Sequence, residues 1–245
     1  MFSKIKTCLA IAAAATVIGC GEGRAKDVGP AASRNFTVAA FDKIEVAGPY
    51  KVSVATGRSP GVEARGGQNL LDQMVVEVEG STLKIHPRKR DLSIGQWWNG
   101  SSNGQTVTVA VSSPMLTSAA IAGSGNVVID RIATDRFEGA VAGSGGLTLA
   151  DVQVRKLTLG IAGSGGISGT GKATTARYEI AGSGGIRASK LATEKAVIAT
   201  AGSGDVQASA SATAKVAIAG SGNVRVEGGA KCEIDKVGSG TVNCS

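Results

Sequence analysis

The side chains best placed to meet a ligand lie within residues 88–105, where Arg88-Lys89-Arg90 is followed by the adjacent Trp97 and Trp98 among Gly, Ser and Asn. Aromatic faces beside cations stack on sugar rings and attract anionic glycans or lipid headgroups. Arg88, Lys89, Arg90, Trp97 and Trp98 are therefore the candidate ligand contacts. The competing reading is that the two tryptophans cover the end of the fold.

Proton and metal chemistry have less to work with. The chain holds one histidine, His86, so neither a His-rich zinc centre nor a two-imidazole relay can be built, and no metal or cofactor is assigned. His86 precedes Pro87 at a strand end, which suits a structural or solvated role. Residues 166–172 have the GxxxxGK spacing of a phosphate-binding loop. Ala173 stands where a magnesium-binding hydroxyl is needed, however, and the match falls inside a repeat. The glycine-rich corners lack the aspartate per turn that calcium-binding nonapeptides require. Polysaccharide lysis or hydrolysis needs acidic or basic groups gathered on neighbouring coils. Glu138 and Glu179 are not at one aligned position, and Asp130, Asp151 and Asp205 fall in different turns. Arg187 and Arg225 share an outward position with Gln207 between them, either a basic stripe or a solvated face.

These residues must be carried by a repeating scaffold. Ala-Gly-Ser-Gly begins at Ala122, Ala142, Ala162, Ala181, Ala201 and Ala219, and Val-Gly-Ser-Gly begins at Val237, at spacings of 20, 20, 19, 20, 18 and 18. Regular repetition of this length is the mark of a solenoid. Two residues after each last glycine stand Val127, Leu147, Ile167, Ile186, Val206, Val224 and Val242. Small or apolar residues recur two positions later, and mostly polar ones lie between. Period two means a strand with one buried face. Each repeat reads as strand, glycine-serine corner, strand and looser turn, with the corner serines in a ladder. The expected fold is all-β, a single parallel β-helix (β-solenoid) with coils of 18 to 20 residues. Four Phe, two Trp and two Tyr in 245 residues leave a narrow interior filled by small side chains. Residues 36–115 read as irregular coils of the same unit, with strand-like runs at 75–78, 83–85 and 107–111, and residues 116–245 as the regular repeats.

Cys232 and Cys244 both fall at inward positions of the last coil, which predicts a disulfide that caps the open end in an oxidising compartment. At the other end, Lys4 and Lys6 precede an apolar run from Cys8 to Ile18 that is too short to span a bilayer. The run ends in Val17-Ile18-Gly19-Cys20, which resembles a lipobox. Residues 1–19 are thus expected to be a lipoprotein signal peptide, with Cys20 acylated (palmitate among the chains) and residues 20–35 a tether. Removing Lys4 and Lys6 lowers the formal charge from +7 to +5, compatible with anionic envelope polymers. No nucleic-acid motif occurs.

Phe41-Asp42-Lys43-Ile44-Glu45-Val46, the strand from Gly48-Pro49-Tyr50 to Val54, Asn69-Leu70-Leu71-Asp72 and the Gly-Ser-Gly ladder together resemble the bacterial auto-transporter adhesin family with the head GIN domain. The resemblance covers residues 36–245 and implies a secreted or lipid-anchored β-helix. The resemblance is expected to stop short of a true autotransporter, without an amphipathic-strand export barrel after the repeats. The expectation is a lipid-anchored cell-envelope protein, at the outer membrane, acting as a non-catalytic adhesin-like binding or structural module. Its partners would be the membrane, through Cys20, and an anionic polysaccharide or envelope polymer. The alternative is a polysaccharide lyase or hydrolase on a parallel β-helix.

Overall fold

Alternation of small apolar and polar residues over long stretches can be satisfied only if every strand turns one side inward, and the chain does this from end to end. In a computed structural model, the structure describes residues 28–88 and 106–245. The first part comprises β1 (Ala31–Phe36), β2 (Lys43–Ala47), β3 (Lys51–Thr56), β4 (Gly61–Gly67), α1 (Gln68–Asp72), β5 (Met74–Glu79), β6 (Thr82–Pro87) and β7 (Thr108–Ser113). It continues through β8 (Ser118–Gly123), β9 (Asn126–Ile129), β10 (Ile132–Gly143), β11 (Gly146–Gly163), β12 (Gly166–Gly182) and β13 (Gly185–Ala188). The last coils are β14 (Leu191–Gly202), β15 (Asp205–Ser209), β16 (Thr213–Gly220), β17 (Asn223–Glu227), β18 (Lys231–Val237) and β19 (Thr241–Cys244).

The fold is the expected β-solenoid. On its first face, β6, β2, β8, β10, β11, β12, β14, β16 and β18 stack in parallel through the segments that precede the corners. On its second face, β7, β3, β9, β11, β12, β13, β15, β17 and β19 stack likewise through the segments that follow. Where the sequence suggests a looser turn, Ile132–Thr134, Val152–Val154, Gly171–Ala173 and Leu191–Thr193 pair as a short third face.

The corners hold their shape because glycine is required there. Gly163 has φ +123°, and a Cβ on it would lie 2.6 Å from the Gly143 carbonyl oxygen. Gly165 has the same close approach to the Gly145 oxygen, 2.6 Å from its ideal Cβ. Neighbouring corners are joined by the Ser164 amide donating to the Gly143 carbonyl at 2.9 Å. The corner serines are all exposed, in the expected ladder. In the first coil Tyr50 takes the place of the corner's second glycine and is fully buried, so the corner that follows Gly48 is closed by an aromatic ring.

Two features depart from the sequence reading. The first coils are not stacked in chain order: β2 lies between β6 and β8, and β3 between β7 and β9. The chain thus builds one coil, returns to lay a second on its N-terminal side, then crosses over to continue. In addition, residues 31–35, assigned to the tether, belong to β1, which pairs antiparallel with β4. Ala32 and Phe36 pack on the core, and Arg34 pairs with Asp72 at 2.6 Å. The folded unit therefore includes Ala31.

The two ends are closed differently. At the N-terminal end, β5 runs antiparallel to β6 and β4 antiparallel to β7, covering both stacks. Leu70 and Leu71 of α1 plug the interior, and the amides of Gln68 and Asn69 donate to Pro30 and Val28 carbonyls. At the C-terminal end the predicted Cys232–Cys244 disulfide ties β18 to β19. Lys236 takes the inward position that Ile218 fills one coil earlier, and its Nζ donates to the Gly240 carbonyl at 3.0 Å. A charge pointing inward on an edge strand deters a further strand from adding.

Candidate functional site

Because inward positions are spent on the core, any recognition surface on the regular coils must come from the outward positions. These form straight columns, each rung about 4.8 Å from the next. The two main faces fill their columns with different chemistry.

On the first face the residue before each corner is alanine in six successive rungs: Ala122, Ala142, Ala162, Ala181, Ala201 and Ala219, all exposed. The column beside it holds Ala120, Ala140, Gly160, Ala199 and Ala217, broken by Glu179. Together they floor a shallow groove of about 770 Å³ along the solenoid axis. Glu45, Glu138, Glu179 and Asp235 line it. Glu45, Glu138 and Glu179 are two rungs apart in turn, and Asp235 is three rungs further. Glu179 is held by Arg177.

On the second face the corresponding column reads Thr148, Ser168, Arg187, Gln207, Arg225 and Asn243. Ser168 donates to the Thr148 hydroxyl at 3.2 Å. Toward the C-terminal end a groove of about 750 Å³ opens beside this column, lined by Gln207, Arg225 and Asn243 on one side and Asp205, Asn223 and Thr241 on the other. The latter three are bonded to one another. The Asn223 backbone and side-chain amides both donate to Asp205 Oδ1 at 3.0 Å, and the Thr241 hydroxyl donates to Asn223 Oδ1 at 2.6 Å.

A third groove runs along the short third face. Of the two carboxylates that line it, Asp135 and Glu194, Asp135 is bonded to the Arg155 guanidinium of the next rung, which holds it below the usual aspartate range. An acid held ionised in this way does not deliver a proton near neutral pH. Among the described residues, no group of three or more His, Cys, Asp and Glu side chains could hold a metal ion. The described residues present three grooves along the solenoid.

Of the residues singled out in the sequence, Arg187, Gln207 and Arg225 do share one column. Arg88 is exposed, and its amide donates to the Gln73 carbonyl at 2.7 Å, at the N-terminal end of the first face. Lys89, Arg90, Trp97 and Trp98 lie outside the described residues, as does Cys20. His86 sits between the Pro87 carbonyl and Glu77, whose carboxylate is 3.0 Å from Nε2. The alanine columns were missed in reading the sequence, although the signal was present in the alanine that precedes nearly every corner.

No protein of curated function matches the chain. Among solved structures it is similar to a protein from Parabacteroides distasonis described as a "putative lipid binding protein", with a TM-score of 0.71 and 26% identity, covering 89% of this chain and 97% of the other. It is similar in fold to a "putative adhesin" from Bacteroides fragilis, with a TM-score of 0.77 and 22% identity over 88% and 97% of the two chains. A third such structure, from Parabacteroides merdae, has a TM-score of 0.69 and 21% identity over 89% and 97%. Residues 40–230 match the family described as "Putative auto-transporter adhesin, head GIN domain", and the chain belongs to it.

Proposed function

We propose that this protein is a lipid-anchored β-solenoid of the cell envelope that binds a partner without transforming it. The observation that carries the reading is the uninterrupted repetition of outward side chains over six rungs on each of two faces. A surface of this kind engages an elongated partner at many equivalent points. The carboxylates of the alanine groove favour binding over hydrolysis. No two of them lie on neighbouring rungs, and Glu179 is paired with Arg177, so they are not gathered as an acid–base pair. The anchor follows from the lipobox-like ending at Cys20, with an attachment to the membrane as durable as several acyl chains provide.

The test has two arms. Labelling cells with a fatty-acid analogue is expected to mark the wild-type protein and leave Cys20→Ala unlabelled and released from the membrane fraction. A panel of envelope and host polysaccharides is expected to be bound and recovered at unchanged chain length, with Trp97→Ala/Trp98→Ala reporting on residues 88–105. Shortened product chains would establish the lyase or hydrolase alternative instead.

The apolar floor of the first-face groove favours a second reading, in which it accommodates an acyl chain. This agrees with the description of the Parabacteroides distasonis neighbour. Ala140→Lys/Ala162→Lys would then abolish uptake of a fluorescent fatty acid, and unchanged uptake would refute it.

A further inference from the structure

The geometry points to the outer side of the second face, from Thr148 to Asn243, as a binding track for an acidic polysaccharide lying along the solenoid axis. This deepens the reading of the chain as a binding module by placing its site and naming its ligand class.

Six rungs in succession end in groups that hydrogen-bond outward, and their register is unbroken from Thr148 through Ser168, Arg187, Gln207 and Arg225 to Asn243. The two arginines stand two rungs apart, about 9.6 Å between backbones, with an amide side chain on the rung between them. Among the described residues neither Arg187 nor Arg225 has a carboxylate within ion-pair distance, whereas Arg131, Arg155 and Arg177 each do. Their donors are free for a ligand. The acidic group lining this groove, Asp205, accepts both amide donors of Asn223, so part of its charge is already engaged. N-terminal to it, Gly146, Gly166 and Gly185 leave the neighbouring column without side chains, so a polymer can lie close to the backbone.

The chemistry selects the ligand. A planar guanidinium binds a carboxylate through two parallel hydrogen bonds, and hydroxyl and amide side chains suit the hydroxyls of a sugar chain. The rungs repeat along a line, so successive sugar units meet equivalent groups. The described part of this face carries no aromatic ring on which unpaired bases could stack, which favours an acidic glycan over a nucleic acid.

The test measures affinity of the full chain for polygalacturonate at two salt concentrations, with dextran as the uncharged control. Arg187→Gln/Arg225→Gln is expected to weaken polygalacturonate binding about tenfold or more at an unchanged thermal midpoint. Arg136→Gln/Lys156→Gln removes the same charge from exposed positions on the first face and is expected to change it less than about twofold. Equal losses in both variants would mean diffuse attraction and overturn the track. Loss in Trp97→Ala/Trp98→Ala with none in the arginine pair would overturn it while leaving the binding-module reading intact. Failure of wild-type protein to bind either polygalacturonate or dextran sulfate would refute the ligand class and the track with it.

Discussion

Along the first face the two outward columns nearest the corners hold alanine or glycine from β8 to β16 except at Glu179, and the second face carries hydroxyl, amide and guanidinium groups at the matching depth from β11 to β19. Both faces are cut from the same coils, with the same parallel hydrogen bonds and the same inward Val, Ile and Leu. The scaffold therefore does not require the difference. Backbone pairing and inward packing hold the rungs and leave the outward positions free to differ. A polar column that hydrogen-bonds outward reads as recognition. An alanine column reads as a surface kept low, so that something flat or apolar can approach.

The comparison breaks most severely at the corner that separates the faces. Gly163→Val must strain a positive φ with a branched side chain and push against the Gly143 carbonyl, so a loss of about 3 kcal/mol or more is expected in urea unfolding. A loss below about 1 kcal/mol would show that the corners yield and that the columns are not held in register. Next in size is the last rung, where both faces end. Cys232→Ser/Cys244→Ser should cost on the order of 3 kcal/mol by the chain-entropy argument. The effect should be local, with hydrogen exchange rising in β18 and β19 and staying slow in β10 to β14. Uniform acceleration across both faces would mean that the disulfide supports the whole solenoid.

Between the faces lie two buried phenols. Burial raises the ionisation of Tyr50 and Tyr178 above the ordinary tyrosine value of 10.0. The unfolded chain loses these protons near pH ~10 while the folded chain keeps them, so stability is level below that pH and falls above it. The slope is about 1.4 kcal/mol per pH unit for each tyrosine. Tyr178→Phe should halve that slope. It should also leave neutral-pH stability unchanged or raised by up to about 1 kcal/mol, since the buried hydroxyl of Tyr178 has no hydrogen-bond partner. An unaltered alkaline slope would contradict the packing described. The smallest effect is expected from exchanging the faces' own chemistry. Ala142→Thr and Thr148→Ala should each shift the midpoint by less than about 0.5 kcal/mol. A larger change in either would mean that outward residues do support the fold.

Much of this architecture is legible in the residues because its causes are local. Val127, Leu147 and Ile167 recur at one distance from a corner, and period two then fixes which neighbours face inward. Cys232 and Cys244 could be paired on that register alone. The site is less legible. Arg187, Gln207 and Arg225 align in the sequence, but their freedom from carboxylate partners depends on side chains in adjacent rungs. The alanine columns lie in plain view before each corner and escape notice because alanine carries no chemistry by itself.

The residue pattern alone dictates that the chain coils, where each coil turns and which side chains enter the interior, since strand alternation and glycine's access to positive φ act within a few residues. Tertiary structure decided the rest. The order of the first coils, with β2 between β6 and β8, could not be read locally because every rung offers the same hydrogen-bonding edge on both sides, and packing against β1, β4, β5 and α1 selects among them. The opposition of an alanine column and a polar column is likewise a property of stacking, because a column exists only when residues 18 to 20 apart in the chain come to lie one rung apart in space.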